Sequence, residues 1–123
     1  MAQPNPPRAV YIVLPVTGDA TNQTLILVME RSRQFGVNIL VTVYYEESLA
    51  AGRAEIFERT IGIGRVINIQ ENGLIQVRLL REVSNHGDLW QRIRNRDTTT
   101  LSNVIIKPSI DFNDAGIEVR FNE

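Results

Sequence analysis

Cysteine is absent from the 123-residue chain and histidine occurs once, at His86. Disulfides, CxxC redox chemistry, thiolate zinc sites and a cysteine nucleophile are therefore excluded, and one imidazole leaves little for a histidine-based metal centre. Lysine is nearly missing as well: of thirteen basic residues, twelve are arginine and only Lys107 is lysine. No apolar run approaches the ~18 residues that a membrane-spanning helix needs, and the start is rich in proline and asparagine rather than basic then apolar. No targeting segment and no membrane association are expected, and the cytoplasm is the expected compartment.

What is present suits one domain. Hydrophobic residues make up 43% of the chain and the formal charge is -1. A chain of this length buries roughly two thirds of its unfolded surface, enough for one core without covalent staples. Residues 1–8, with Pro4, Pro6 and Pro7, read as a flexible arm, and 9–123 as a single globular unit.

Along that unit, Ala9 to Val16 is β-branched and aromatic, and Pro15 places this strand at a sheet edge or bulge, because proline cannot donate to a central ladder. Thr24 to Gln34 fits two elements, because the continuous apolar run Leu25 to Met29 suits a buried strand or the start of a helix; the helix is favoured, with Thr21 or Asn22 as N-cap, Leu25, Val28 and Met29 on one face, and Phe35-Gly36 as the stop. Val37, Ile39, Val41, Val43 and Tyr45 alternate with Asn38, Leu40, Thr42 and Tyr44, the period of a half-buried strand. Glu46 to Arg59 reads mostly as loop.

Ile61 to Gln70 and Leu74 to Val83 predict a β-hairpin around Glu71-Asn72-Gly73. A two-residue Asn-Gly turn would set polar residues against apolar ones on both faces. A three-residue loop with Gly73 left-handed pairs Ile69 with Ile75, Asn68 with Gln76 and Ile67 with Val77, which keeps one face dry. Asp88 to Gln91 has the form of a capping box, opening a short helix to about Asn95. Asn103 to Phe112 and Ile117 to Phe121 complete the set as two strands joined by a turn at Asn113 to Gly116. The expected fold is α+β: a small, mostly antiparallel β-barrel or strongly twisted sheet of five to six strands with one or two short helices.

Several motifs fail on inspection. Gly62-Ile63-Gly64 lacks the third glycine of a dinucleotide fingerprint and lies inside a strand, where glycines mark a bulge or bend. Asp111 to Asn122 begins like a calcium loop but has alanine fifth and asparagine twelfth. His86 beside Asp88 has a general base's composition, yet no serine or threonine sits in a nucleophile-elbow context. The paired Glu46-Glu47 and the Glu55, Glu58 pair read as a solvated acidic face.

One cluster stands out. Arg78, Arg81, Arg92, Arg94 and Arg96 surround Trp90, with Glu82 and Asp88 the only acids between Val77 and Arg96, whereas Glu46 to Glu58 holds four acids against Arg53. These six residues form the candidate partner-binding set. A basic stripe with one aromatic suits either an acidic protein surface, a second copy of the chain included, or the phosphates and bases of a nucleic acid.

Leu14-Pro15 ending a first strand, then a helix, the strand Asn38 to Val43, the run Ile61, Gly62, Gly64, Val66, Ile69, an Asn-Gly turn and the strand Leu74 to Leu80 follow one another in an order that resembles the N-terminal substrate-binding domain of the Lon protease family, a PUA-like barrel. The resemblance spans Val10 to Val83. It lacks the extra strand sequence that family carries after Leu-Pro, the helical lobe, and the ATPase and protease domains. What it implies is a stand-alone barrel that binds polypeptide, or RNA as other PUA-like barrels do. The expectation is thus a non-catalytic binding or adaptor domain for a protein or peptide partner, with nucleic acid as the alternative, and with no cofactor or metal.

Overall fold

The structure is a computed structural model that describes residues 5–14, 25–48 and 56–109. Strands β1 (Ala9–Val13), β2 (Ile26–Met29), β3 (Leu40–Ser48), β4 (Ile56–Ile69), β5 (Ile75–Glu82) and β6 (Val104–Pro108) form one sheet in the order β1-β2-β5-β4-β3-β6, with every neighbouring pair antiparallel. Helices α1 (Gly87–Arg94) and α2 (Thr98–Leu101) lie in the chain between β5 and β6. This is the expected α+β arrangement of a twisted antiparallel sheet with two short helices. The sheet curls far enough for its two ends to touch: Arg8 bridges to Ile105, and the Ile106 N–H donates to the Pro7 carbonyl at 3.4 Å. Of the expected arm, residues 5–8 are described, and there Pro7 is buried and Arg8 is pinned.

The expected helix over Thr24 to Gln34 is instead strand β2. Its five consecutive apolar residues, Leu25 to Met29, are the reason. A helix could bury only one stripe of them, but a strand flanked by β1 and β5 buries Leu27 and Met29 on the inner face while Val28, on the other, is also fully buried. The following strand starts three residues later than the alternation suggests. Val37 and Asn38 form a turn, with Asn38 at φ 77° and Val37 half exposed.

The hairpin has the expected three-residue loop. Gln70 N–H donates to the Leu74 carbonyl at 2.9 Å, Gly73 has φ +90°, Ile69 opposes Ile75 and Asn68 opposes Gln76. One pairing differs. Val77 opposes Val66 rather than Ile67, because a bulge between Val66 and Asn68 leaves Ile67 as the extra residue. A second bulge falls between Ile63 and Gly64, at the glycine pair read as a bend. The stretch from Glu46, expected as loop, is in fact strand through Ser48 and again from Ile56.

Inside the curled sheet, Ile12, Leu27, Met29, Val41, Val43, Ile61, Val66, Ile75, Val77 and Ile106 form the core, and α1 closes it with Leu89, Trp90 and Ile93. The expected capping box does not form. His86 holds the N-cap position without a side-chain cap, because the 3-10 turn Ser84–His86 winds straight into α1 and carries Asp88 into the first helical turn. Helix α2 has no sequence signal: three threonines have modest helix propensity, and its first turn is supported by Thr100 Oγ1 donating to Asp97 Oδ2 at 2.7 Å. The strand Ile117 to Phe121, its preceding turn and Pro15 lie outside the described residues.

Candidate functional site

The six residues singled out in the sequence do not converge. Trp90 is fully buried, its indole Nε1 donating to the Ile61 carbonyl at 2.8 Å and its ring lying against Gly62, where an added Cβ would stand 2.9 Å from Cζ2. It is a core residue, not a surface anchor. The apolar face of α1 explains why: Leu89, Trp90 and Ile93 recur at helical spacing and turn inward together. Arg94 forms an ion pair with Glu82, both about one third exposed. Arg96 sits beyond the helix at φ 61° and is exposed. Arg92 lies on the rim of a cleft, while Arg78 and Arg81 are exposed on β5.

The acidic segment is answered within the molecule. Glu46 and Glu58 stand directly opposite each other on β3 and β4, a repulsive register that two cations relieve. Arg8 reaches Glu46 at 2.6 Å and Lys107 reaches Glu58 at 2.7 Å, while Arg59 pairs with Glu47 at 2.8 Å. Glu47 and Glu58 are solvated as expected but paired, Glu46 is more enclosed, and Glu55 lies outside the described residues, so the three described acids have less charge to offer a second copy.

A cleft of about 390 Å³ opens between the far end of the β3–β4 pair (Tyr45, Glu47, Arg59) and the start of α1 (Asn85, His86, Asp88, Leu89, Arg92). Its charges are mixed. Among the described residues no hydrogen bond joins His86 to Asp88, so the arrangement does not orient the imidazole as a base. Also among the described residues, no three histidine, aspartate or glutamate side chains gather as metal ligands, and no helix is long and apolar enough to cross a membrane.

Two further surfaces stand out, one at the sheet edge expected for Ala9 to Val16 and one that the sequence did not suggest. The first is β1, an end strand whose Val10, Tyr11 and Val13 are 48%, 41% and 40% exposed. The burial pattern of Ala9–Val13, with Ala9 and Ile12 inward, depends on a bulge between Ala9 and Tyr11 that simple alternation does not show. The second is Arg65 on β4, directly opposite Arg78 on β5. The hairpin register extended without a break would set Arg65 against Leu79, and the bulge at Ile67 is what brings the two arginines together.

Compared with protein-family models, curated proteins and solved structures, the chain matches none.

Proposed function

We propose that the chain is a non-catalytic binding domain that takes a protein or peptide partner by strand addition at β1. The carrying observation is an end strand that pairs with β2 on one side and, among the described residues, meets β6 only ahead of its first residue at Pro7 and Arg8, leaving Val10, Tyr11 and Val13 as three large exposed side chains. An extended peptide laid along such a strand gains main-chain hydrogen bonds for affinity and apolar contacts for selectivity. The likeness in element order to the Lon N-terminal domain, which binds polypeptide, supports the same reading. The arginines of α1 take a lesser part than the sequence suggests, since Arg94 is engaged with Glu82 and Trp90 is interior.

The test is a Val10→Lys/Val13→Lys variant, whose charges oppose edge pairing without touching the core. Proteins that co-purify with the wild type, identified by mass spectrometry, are expected to be lost from the variant, and light scattering reports whether the partner is a second copy. Identical partners on both folded forms would refute β1 as the docking strand, as would partners lost only from an Arg92→Glu/Arg94→Glu variant.

A further inference from the structure

Two rows of side chains cross the outer face of the sheet. One runs Val13, Ile26, Arg78, Arg65, Leu40 and the other Tyr11, Val28, Gln76, Asn68, each residue directly opposite the next on the neighbouring strand. Residues opposite one another in register share a face, and the inward partners Val66 and Val77 confirm which face it is. Neither row contains an aspartate or glutamate.

The arginine pair is the telling feature. Like charges directly opposite across a ladder repel, and elsewhere in this sheet the same arrangement, Glu46 against Glu58, is relieved by Arg8 and Lys107. Among the described residues, Arg65 and Arg78 have no such relief. Arg65 donates to the Asn38 carbonyl at 2.8 Å, a contact that orients it but leaves its charge in place, and Arg78 makes no ion pair with any described residue. Their Cα atoms sit at the ~4.5–5.5 Å of a cross-strand pair, so two exposed arginine side chains leave the same face from facing positions.

We propose that this face binds single-stranded nucleic acid, with Arg65 and Arg78 on the phosphates. The neighbouring row supplies the rest of such a site. Tyr11 is an exposed ring on which a base can stack, and the amides of Asn68 and Gln76, 3.5 Å apart, offer donors and acceptors to base edges. An acidic peptide would use the arginines and leave the ring and amides idle. Phosphate contact, stacking platform and base-edge groups on one acid-free face favour the nucleic acid. This surface lies on the sheet face and shares Tyr11 and Val13 with the strand proposed for the peptide partner, while its arginines lie on β4 and β5.

Fluorescence anisotropy with a fluorescein-labelled single-stranded 12-mer, as RNA and as DNA, tests it at low and moderate salt. Binding is expected at low salt and to weaken as salt rises, with a log–log slope near -1.4 for two phosphate contacts at about -0.7 each. Arg78→Gln should halve that slope, Arg78→Glu should abolish binding, and Tyr11→Ala should weaken it roughly tenfold, within the range for loss of one stacked base. The Arg78→Glu variant should lose the oligonucleotide while keeping the peptide partner of β1, because Arg78 lies on β5 and outside that strand, which separates failure of one proposal from failure of the other. No binding at low salt, unchanged binding by folded Arg78→Glu and Arg78→Gln, or competition by poly-glutamate as effective as by unlabelled oligonucleotide would overturn it, the last making this an acidic-peptide surface.

Discussion

Trp90 Nε1 donates to the carbonyl oxygen of Ile61 across 29 positions of sequence, joining α1 to the middle of β4. The chain has one tryptophan, so a single fluorophore reports on the closure of the core by the helix. Trp90→Phe keeps most of the apolar volume and removes one of the two hydrogen bonds that the Ile61 carbonyl accepts, the other coming from the Val83 N–H at 2.9 Å, at an expected cost of about 0.5–1.5 kcal/mol. Trp90→Ala adds a cavity and should cost about 3–5 kcal/mol. Urea unfolding followed by far-UV circular dichroism checks both. Wild-type emission should move to longer wavelength in the same transition.

The hydroxyls of Thr42 and Ser109 are buried and 2.6 Å apart. Thr42→Val preserves shape and deprives Ser109 of its partner, so it should lose about 1–3 kcal/mol, whereas the double variant Thr42→Val/Ser109→Ala should recover much of that loss because no orphaned hydroxyl remains. Equal destabilisation of the single and double variants would mean that packing, not the hydrogen bond, sets the value.

Gly64 lies where an added Cβ would meet Val77 Cγ1 at 2.6 Å and the Arg78 carbonyl oxygen at 2.8 Å. The second of these is backbone and cannot turn aside. Gly64→Ala should therefore force β4 and β5 apart and cost at least about 1–3 kcal/mol, the range for overpacking. The readout is the thermal midpoint, with Gly36→Ala, where nothing lies within 4 Å, as the comparison.

Arg8 holds Glu46 at 2.6 Å and the Ser102 carbonyl at 3.0 Å. In a double-mutant cycle of Arg8→Ala with Glu46→Gln, a coupling of about 0.2–1 kcal/mol is expected, towards the upper end because Glu46 is only 14% exposed. Raising the salt concentration should shrink it.

The hairpin was legible from the sequence because two independent constraints, face polarity and the positive φ at Gly73, agreed on one register. Strand β2 was not. Leu25 to Met29 carries no period at all, and only neighbours on both sides reveal that a strand rather than a helix buries it. Trp90 misled for a related reason. Arginines on both sides of it in sequence suggested a surface cluster, but a helix turns successive residues through its whole circumference, and the spacing to Leu89 and Ile93 decides which way the indole points. The pairing of Arg65 with Arg78 was not legible, because the hairpin register extended unbroken sets Arg65 against Leu79 and only the bulge at Ile67 shifts it by one residue.

The bridge from Arg8 to Ile105 joins residues near the two ends of the described chain. Such a contact closes almost the longest loop available, so its entropy must be met after the local hairpins have formed. The β4–β5 hairpin is therefore expected early in folding and the meeting of β1 with β6 late. By the same reasoning, this seam should exchange its amide hydrogens sooner than the β4–β5 ladder, opening first when the protein breathes.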